Sequence, residues 1–492
     1  MSTISDFNEE EKGKVLQDLT SNAKQIQDDL LKEILTLNAG TEYLKDFLHG
    51  GLHGRSAKEL FKKNVPIVTY EDVKPYIDRV VNGEPSNILS VLPITNFLLT
   101  SGTSAGASKM IPSNIKFLEG YAFIGDLILH VINKHVKGVE KGKGMLFFLT
   151  SHDSRTPIGL PMGSATSWYL KSDYFKNRPS SWYYSYTSPD EVILGSDSKQ
   201  VLYCHLLCGL VQRDEVMRIG SIFASIIVRV IKLLEDSWKE LCWNIRSGHL
   251  SEWITDSGCR NSVSIVLGGQ PRPELSDEIE KICSEESWEG SMAQYVPTLN
   301  YYCNDLPLVS TAYASSESVY GININPLSKP EDVSYTLLPN LCYFEFIPLE
   351  GDDNDVVDLV DVTGFYNKAP QFKVVGRENV VLSIETDMTK EEDLFKAVNQ
   401  EKLVLNSSGL RLVHFTSSTD ISSSPGHYVI YWEVKAENKD IKGLEFSEKT
   451  FLECCLAMED SLDEGYKYGR VHGTIGPLEI RVSIQDSHMH KI

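Results

Sequence analysis

The segment from residue 379 to residue 482 restricts the fold most, because its strand and helix patterns follow an order that few folds share. Alternating or β-branched stretches predict strands, and apolar residues at helical spacing predict the helices between them. The predicted strands and helices are, in chain order, β 379–384, α 391–404, β 410–415, β 427–434, α 447–462 and β 478–482. This β-α-β-β-α-β order is that of the ferredoxin-like unit, so we predict a small C-terminal domain of this kind.

The part of the chain before this segment is predicted to form a larger α/β domain. With 492 residues, the chain exceeds what one hydrophobic core usually serves. Strand and helix patterns alternate along it, which is typical of α/β folds. The predicted elements are an amphipathic helix at 19–34, strands at 91–100, 262–267, 307–310 and 343–347, and helices at 117–134 and 216–238. We predict an N-terminal domain of residues 1–365 and a mobile C-terminal domain of residues 366–492, with a hinge near Tyr366–Gly376.

Charge and cysteine usage restrict the partners and the compartment. The formal net charge of −21 repels nucleic-acid phosphates and anionic lipid, so neither nucleic acid nor a membrane is an expected partner. The polar, acidic stretch Met1–Glu11 lacks the pattern of a targeting segment. Nine scattered cysteines fit a reducing compartment better than a disulfide framework. We therefore expect a cytoplasmic protein.

One cysteine pair is a weak candidate for metal binding. Cys204 and Cys208 are one helical turn apart, with His205 between them. A zinc site would need a second pair of ligands at similar spacing, and the sequence offers none. Burial as small apolar residues on a helix is the favoured interpretation.

A loop rich in glycine and hydroxyl groups is the first candidate nucleotide motif. Thr100, Ser101, Gly102, Thr103 and Ser104 follow a predicted strand, and the motif extends to Lys109. Glycine lets the backbone approach an anion closely, and successive N–H groups, hydroxyls and a lysine can bind phosphate. The loop has neither the Walker form nor the dinucleotide form. On composition alone, an ordinary loop is the favoured interpretation and phosphate binding the alternative.

A second candidate motif occurs about two hundred residues later. It consists of Tyr313, Ala314, Ser315, Ser316 and Glu317. An aromatic ring, two hydroxyls and a carboxylate could contact a base and hold Mg²⁺. Taken alone, the motif is better interpreted as a solvated turn with an exposed glutamate.

Together the two motifs resemble the Gretchen Hagen family of plant acyl-acid amido synthetases, in particular its benzoate-conjugating branch from mustard-family plants. The first motif is similar to the family's S-S-G-T-S-x-G-x-x-K loop, with Thr100 in place of the usual serine. The second is similar to Y-(A/G)-S-S-E. Further similar blocks occur in the expected order at 203–210, 294–297, 306–310, 321–326 and 364–372.

The resemblance implies a fold of the adenylate-forming type and an ATP- and Mg²⁺-dependent reaction. A small carboxylic acid, benzoate-like or hormone-like, would be adenylated and then joined to an amino acid, and we expect a monomer. Residues 100–104 would hold phosphates, and 313–316 would line the nucleotide. Glu317 would hold Mg²⁺. The helix after the first motif would contribute Gly125 and Ile128 to the acyl pocket, where related sequences carry Tyr and Arg.

The sequence also departs from the family pattern at four places. An L-Y-R-x-R-x-G-D tract is missing where Asp355–Asp361 runs directly into Val362, and a further segment is missing after Glu289. The family's D-K-T reads Asp387-Met388-Thr389, so a cation is lost. The family's final helix and Y-K-T-P-R segment have no counterpart after Val482. Two hypotheses follow: an active acid–amino acid ligase, or a non-catalytic paralogue or incomplete gene product that retains only ligand binding.

Overall fold

The computed structural model describes most of the chain. The described residues are 4, 7–48, 57–104, 107–150, 154–285, 299, 306–346, 359–376, 380–384, 387, 389–390, 393–398, 410–423, 425–436, 448–484 and 490–491. For residues 101–104 and 107–108 the description covers the backbone alone.

Fifteen labelled helices occur within the described ranges. They are α1 Glu9–Ser21, α2 Ala23–Asn38, α3 Glu42–Phe47, α4 Ala57–Asn64, α5 Tyr70–Val81, α6 Ile115–His135, α7 Ala165–Lys171, α8 Asp173–Lys176, α9 Asp190–Ile193, α10 Ser198–Val211, α11 Ala224–Ser247, α12 Ser257–Leu267, α13 Pro273–Glu285, α14 Glu448–Ser461 and α15 Glu464–Val471. Residues 393–398 are also helical. In the described part of the chain, no helix combines the length and apolarity needed to cross a membrane.

The strands of the described ranges form five sheets. They are β1 Asn96–Ser104, β2 Ala107–Ser113, β3 Lys143–Phe147, β4 Ser154–Arg155, β5 Pro161–Gly163, β6 Val216–Ser221, β7 Ala312–Ala314, β8 Val319–Ile322, β9 Tyr335–Leu337, β10 Leu359–Tyr366, β11 Ala369–Gly376, β12 Val380–Leu382, β13 Thr389–Lys390, β14 Leu410–Asp420, β15 His427–Ala436, β16 Glu479–Ile484 and β17 His490–Lys491. The sheet orders are β2-β1-β5-β4, β3-β6, β10-β11-β9-β8-β7, β12-β13 and β14-β15-β16-β17.

The predicted helix at 117–134 is confirmed as α6, whereas the strand predicted at 262–267 is wrong. That segment belongs to α12, which begins where the Asp256 carboxylate accepts a hydrogen bond from the Cys259 backbone N–H at 2.8 Å. The helix ends at Gly268, whose left-handed backbone (φ 72°) closes it. The β-branched residues Val263 and Val266 suggested a strand, but a good cap at each end and one buried face favour a helix.

Four further predictions of secondary structure need correction. The stretch at 216–238 is a strand followed by a helix, because residues 216–221 alternate in exposure and pair in parallel with β3 before α11 begins. Residues 343–346 carry no regular structure, and residue 347 lies outside the described residues. Residues 307–310 are likewise not in a strand. The helix predicted at 19–34 spans two helices, α1 and α2, which meet at Asn22.

The predicted C-terminal element order is present. Strand β12, the helical residues 393–398, strands β14 and β15, helix α14 and strand β16 follow one another as expected. The pairing is more specific than the sequence indicated: β15 pairs antiparallel with β14 and in parallel with β16, whereas β12 pairs with the short β13. A second helix, α15, also lies between α14 and β16. Trp432, Tyr428, Phe451 and Tyr466 lie in the buried core of this unit.

Helix α10 runs through the middle of the largest buried cluster of the N-terminal part. Cys204 and Cys208 are fully buried in it, as the apolar interpretation expected. His205 is 1% exposed, and its Nδ1 lies 2.7 Å from the Ser188 hydroxyl, while Nε2 lies 3.2 Å from the Phe148 carbonyl. Because a carbonyl can only accept, Nε2 carries the hydrogen and Nδ1 accepts from Ser188. His205 is therefore held as a neutral side chain by protein groups.

This buried histidine makes the stability depend on pH. Burial lowers the pKa of His205 to about 4, while the Phe148 carbonyl acts in the opposite direction. The unfolded chain, with a histidine pKa of about 6.5, binds the proton more readily, so acidification favours unfolding. The contribution is fully present above pH ~6.5 and is lost as the pH falls towards 4, by about 3 kcal/mol in total.

We expect His205→Gln to lose that part of the pH dependence, although its stability at neutral pH is lower. Urea unfolding of both proteins between pH 7.5 and pH 4.5 measures the free energy of unfolding at each pH. The difference between the two proteins separates the contribution of His205 from that of the carboxylates, which both proteins share. The exposed His249 gives a matched control, His249→Gln, which should keep the wild-type slope. Parallel stability curves for wild type and His205→Gln would contradict the prediction.

Candidate functional site

The first motif lies in the antiparallel hairpin β1–β2 and not in an open loop. Residues 100–104 form the end of β1, where Thr103 pairs with Ser108 and Ser104 with Ala107. The register shifts between Leu99 and Thr103, so the strand is irregular at the motif itself. Irregular strand positions leave backbone N–H groups outside the ladder, which is the arrangement that anion binding needs.

Helix α5 supports the other strand of this hairpin. The Met110 backbone N–H donates to the Tyr70 hydroxyl at 2.9 Å, and the Lys109 ammonium lies 5.4 Å from the centre of the Tyr70 ring. The Lys109 side chain therefore packs beside an aromatic ring, which attracts a cation. Tyr70 fixes the position of β2, and with it the position of the motif.

The second motif forms a compact turn between β7 and β8. The Ser315 backbone N–H donates to the Ser318 carbonyl at 2.9 Å, and the Ser315 hydroxyl donates to the Glu317 carboxylate. The Glu317 backbone N–H donates back to the Ser315 hydroxyl at 3.1 Å. Glu317 is thus held by its own turn while it stays exposed to solvent. Its carboxylate and the neighbouring hydroxyls are hard oxygen donors of the kind that Mg²⁺ prefers.

Aromatic rings surround Tyr313 at the start of this turn. Its ring centre lies 5.8 Å from that of Tyr320, 5.7 Å from that of Tyr335 and 5.7 Å from that of Phe372. These rings come from β8, β9 and β11, so the five-stranded sheet builds the cluster. Ring faces of this kind can stack a nucleotide base. The sequence analysis identified Tyr313 but missed the other rings, which are spread over some sixty residues of the chain.

A hydrogen bond joins the two motifs. The Ser316 hydroxyl donates to the Leu99 backbone carbonyl at 3.4 Å, immediately before Thr100. The two residues are 217 positions apart in the sequence. The structure therefore brings both predicted nucleotide motifs to one place, whereas the sequence patterns indicated only their separate positions.

Helix α15 of the C-terminal unit lies against both strands of hairpin β1–β2. It begins at Asp463, whose carboxylate accepts from the Tyr466 backbone N–H at 2.9 Å. The sequence analysis ended the preceding helix at Leu462 and missed α15. The signal was present, since an aspartate after a helix end is a good N-cap for the next helix.

Gly125 and Ile128, the predicted acyl-pocket residues, lie one turn apart on α6. Ile128 is 8% exposed and packs in a buried cluster with Ile124 and Leu127. At Gly125, a Cβ atom would lie 2.8 Å from the Tyr184 hydroxyl. Tyr184 therefore occupies the space over Gly125.

Buried tyrosines hold Tyr184 in this place. Its ring meets that of Tyr183 edge to face at 5.0 Å, and it shares a hydrogen bond with Tyr169. Burial raises the pKa of Tyr169 to about 12 and raises the pKa of Tyr184 further. These phenols stay neutral over the working range of pH, and the aromatic wall excludes a larger side chain at position 125.

We expect Gly125→Ala to destabilise the protein. Helix propensity alone would raise the free energy of unfolding by about 1 kcal/mol, whereas overpacking lowers it by about 1–3 kcal/mol. The sign of the change therefore tests the contact between position 125 and the Tyr184 hydroxyl. The double variant Gly125→Ala/Tyr184→Phe should recover part of the loss because the hydroxyl is gone. Urea unfolding of the four proteins of this cycle measures the coupling. Strictly additive effects would show that the two residues are independent.

The fold and the site together define a class of protein. It is a two-part α/β protein in which two motifs of nucleotide-binding type are in contact, and a helix of the smaller C-terminal unit lies against one of them.

Comparisons with known proteins identify the family. The model of the GH3 family N-terminal domain matches residues 12–308, and that of the GH3 family C-terminal domain matches residues 392–489. The 4-substituted benzoates-glutamate ligase GH3.12 of Arabidopsis thaliana is 60% identical, over 98% of this chain and 92% of its own length. The indole-3-acetic acid-amido synthetase GH3.17 of the same plant is 46% identical, over 97% and 89%. This chain belongs to the GH3 family, and the resemblance of its motifs is confirmed.

A solved structure confirms the fold class. AtGH3.15 acyl acid amido synthetase in complex with 2,4-DB matches with a TM-score of 0.71 at 43% identity, covering 99% of this chain and 91% of that chain. The mixed α/β architecture is therefore that of an acyl acid amido synthetase.

The same comparisons confirm that this chain lacks internal segments of its relatives. The alignment with the benzoates-glutamate ligase extends over 532 positions, more than the 492 residues of this chain. At least forty aligned positions of the relative therefore have no counterpart here. The gap predicted after Glu289 lies next to residues outside the described ranges, whereas Asp361 and Val362, between which the other gap is predicted, are consecutive residues of β10.

Proposed function

We propose that this protein is an ATP-dependent acyl acid amido synthetase that adenylates a small carboxylic acid and joins it to an amino acid. The contact between Ser316 and the Leu99 carbonyl carries the proposal, because it unites two nucleotide motifs in a member of a family of acid–amino acid ligases. The names of two relatives favour a benzoate or an indole acetic acid as the acid.

The chemistry needs a site that tolerates charge on phosphate. The carboxylate attacks the α-phosphate of ATP, pyrophosphate leaves, and the amine of the amino acid then displaces AMP from the acyl carbon. Both steps move charge over oxygen atoms, which preorganised N–H groups and hydroxyls stabilise. We assign this role to residues 100–104, whose backbone forms the irregular end of β1.

The second motif is assigned to the nucleotide and its metal ion. Tyr313 and Ala314 lie beside the aromatic cluster and would line the base, with Ser315 and Ser316 towards the hairpin. The donors present fit Mg²⁺, because Glu317 offers an exposed carboxylate beside two hydroxyls. Bound there with ATP, Mg²⁺ would neutralise part of the phosphate charge.

The acyl pocket is assigned to the region of Gly125 and Ile128 on α6. Ile128 offers no charge to the substrate, so this part of the pocket selects by shape. The tyrosine over Gly125 narrows the space and favours a flat, compact acid. An acid with a bulky ring substituent would have to displace Tyr184.

The domain organisation and the setting complete the proposal. The boundary at residues 365 and 366 stays a prediction, and the pairing of β11 with β9 favours a hinge beyond Gly376. Rotation of the smaller domain between the two half-reactions would let one site serve both.

The eight cysteines in the described ranges form no disulfide, which suits the cytoplasm. We propose that the protein is a monomer in that compartment.

Carboxylate-dependent exchange of pyrophosphate into ATP tests the proposal directly. We expect the purified protein to catalyse exchange with one class among benzoates, auxin-like acids and jasmonate-like acids. Exchange with one class identifies the acyl substrate. A protein that unfolds cooperatively but gives no exchange with any of them would instead support the non-catalytic paralogue, for which the segments missing from this chain already argue.

Two variants of the second motif should weaken exchange in different ways. Ser316→Ala removes one hydrogen bond between the motifs and should raise the KM for ATP up to about tenfold, which corresponds to the loss of about 1.4 kcal/mol. Glu317→Gln removes a carboxylate and should raise the Mg²⁺ concentration for half-maximal exchange about tenfold. The exposed Ser284 supplies the matched control, Ser284→Ala. Wild-type dependence on both ATP and Mg²⁺ in the two motif variants would refute these roles.

A further inference from the structure

Four buried polar side chains form a connected chain inside the C-terminal unit. Asp387 is 1% exposed, Thr389 and Tyr428 are fully buried, and Asp463 is 2% exposed. Asp387 precedes β13, Thr389 lies in β13, Tyr428 lies in β15, and Asp463 lies at the start of α15. The buried core of this unit surrounds them.

Two hydrogen bonds to carboxylates and one close contact between hydroxyl oxygens connect the four residues in a line. The Tyr428 hydroxyl donates to the Asp387 carboxylate and lies 2.9 Å from the Thr389 hydroxyl. The Thr389 hydroxyl donates to Oδ2 of Asp463 at 2.6 Å. At the far end, the Asp387 carboxylate accepts from the Ile384 backbone N–H at 2.9 Å. Desolvation by burial and the adjacent Asp387 raise the pKa of Tyr428 well above its usual range, so this hydroxyl keeps its proton.

The line ends at the helix that touches the nucleotide hairpin. Asp463 uses its Oδ2 for Thr389 and its Oδ1 for the Tyr466 backbone N–H, which makes it the N-cap of α15. Helix α15 lies against β1 and β2, the strands that carry the first motif. The position of the N-terminus of α15 is therefore coupled, through one carboxylate, to Thr389.

Burying these carboxylates and hydroxyls costs free energy, so we infer that they have a role beyond filling the core. Two carboxylates and two hydroxyls in a core are tolerated only when every member is bonded, and an apolar core of the same volume is usually at least as stable. A fully bonded network holds its members in a single relative arrangement. Here that arrangement fixes Asp387 and β13 on one side and α15 on the other.

We propose that Thr389 and Asp463 are positioning residues that hold α15 against hairpin β1–β2 in the arrangement used for adenylation. The effect expected on adenylation rests on the proposed function. The effect expected on the position of α15 does not depend on it. Neither residue needs to touch the substrate: Thr389 acts through Asp463, and Asp463 acts through α15.

The pair Thr389→Val and Thr389→Ser provides the test in the full-length protein. Valine keeps the shape and removes the hydroxyl, whereas serine keeps the hydroxyl. We expect Thr389→Val to lower the kcat of ATP–pyrophosphate exchange at least tenfold with little change in the KM for ATP, and Thr389→Ser to stay within threefold of wild type. A purely structural residue would lower the melting temperature without this split.

Amide hydrogen exchange gives a second measurement that needs no activity. In Thr389→Val we expect faster exchange of the amides of residues 96–113, which form the hairpin, and unchanged exchange in α10, which lies in a separate core. If the faster exchange is confined to residues 380–484, the network serves only its own domain and the proposal fails. Should Thr389→Val not fold, Asp463→Asn keeps the N-cap and replaces the acceptor, and the same two outcomes apply.

The two measurements also separate this inference from the proposed function. Wild-type protein without any exchange activity would end the proposed function, while altered hairpin protection in Thr389→Val would still establish the positioning role. Wild-type activity with unaltered kcat and protection in the variant would end the positioning role alone.

Discussion

The hydrogen bond from Ser316 to the Leu99 carbonyl is the contact on which the rest of the site depends. It ties a turn of the five-stranded sheet to a hairpin in a different sheet, and it does so at the residue before the first motif. Helix α5 supports the hairpin through Tyr70, and α15 lies against it from the C-terminal unit. Three parts of the chain that are far apart in sequence therefore determine the position of this short hairpin. A site for a charged nucleotide would require binding groups held in such a fixed position.

Sequence patterns predicted those parts of the fold in which one local signal dominates. Helix α6 and the order of the C-terminal elements are examples, because amphipathic spacing and flanking caps agree there. The pattern failed at α12, where β-branched residues sit in a helix that its caps and burial stabilise. It also failed at β6, whose apolar residues can be read at helical spacing but alternate in a strand beside β3. Only the partner strand decides between those two periods.

The site was predictable as two motifs but not as an arrangement. Residue types identified Thr100 to Ser104 and Tyr313 to Glu317, because hydroxyls, glycine and a carboxylate suit phosphate and magnesium wherever they occur. No local pattern records that Ser316 reaches Leu99, or that rings from three strands gather around Tyr313. The network from Asp387 to Asp463 was equally invisible, since each member reads as an ordinary polar residue until burial is known.

Two regions bear on the departures from the family pattern: strand β6 in the N-terminal part and the residues on either side of Met388 in the C-terminal part. Strand β6 pairs with β3 alone among the described residues, and its side chains Met217 and Ile219 are exposed. By contrast, Asp387 and Thr389, on either side of Met388, where the resemblance implies a lysine, have buried hydrogen bonds. The resemblance thus implies the loss of a cation at this position, while both flanking side chains are bonded. Under the proposed function, phosphate charge would then be met by the backbone of the hairpin and by Mg²⁺, and the placement of α15 against that hairpin would matter more in this chain than in a relative with the lysine.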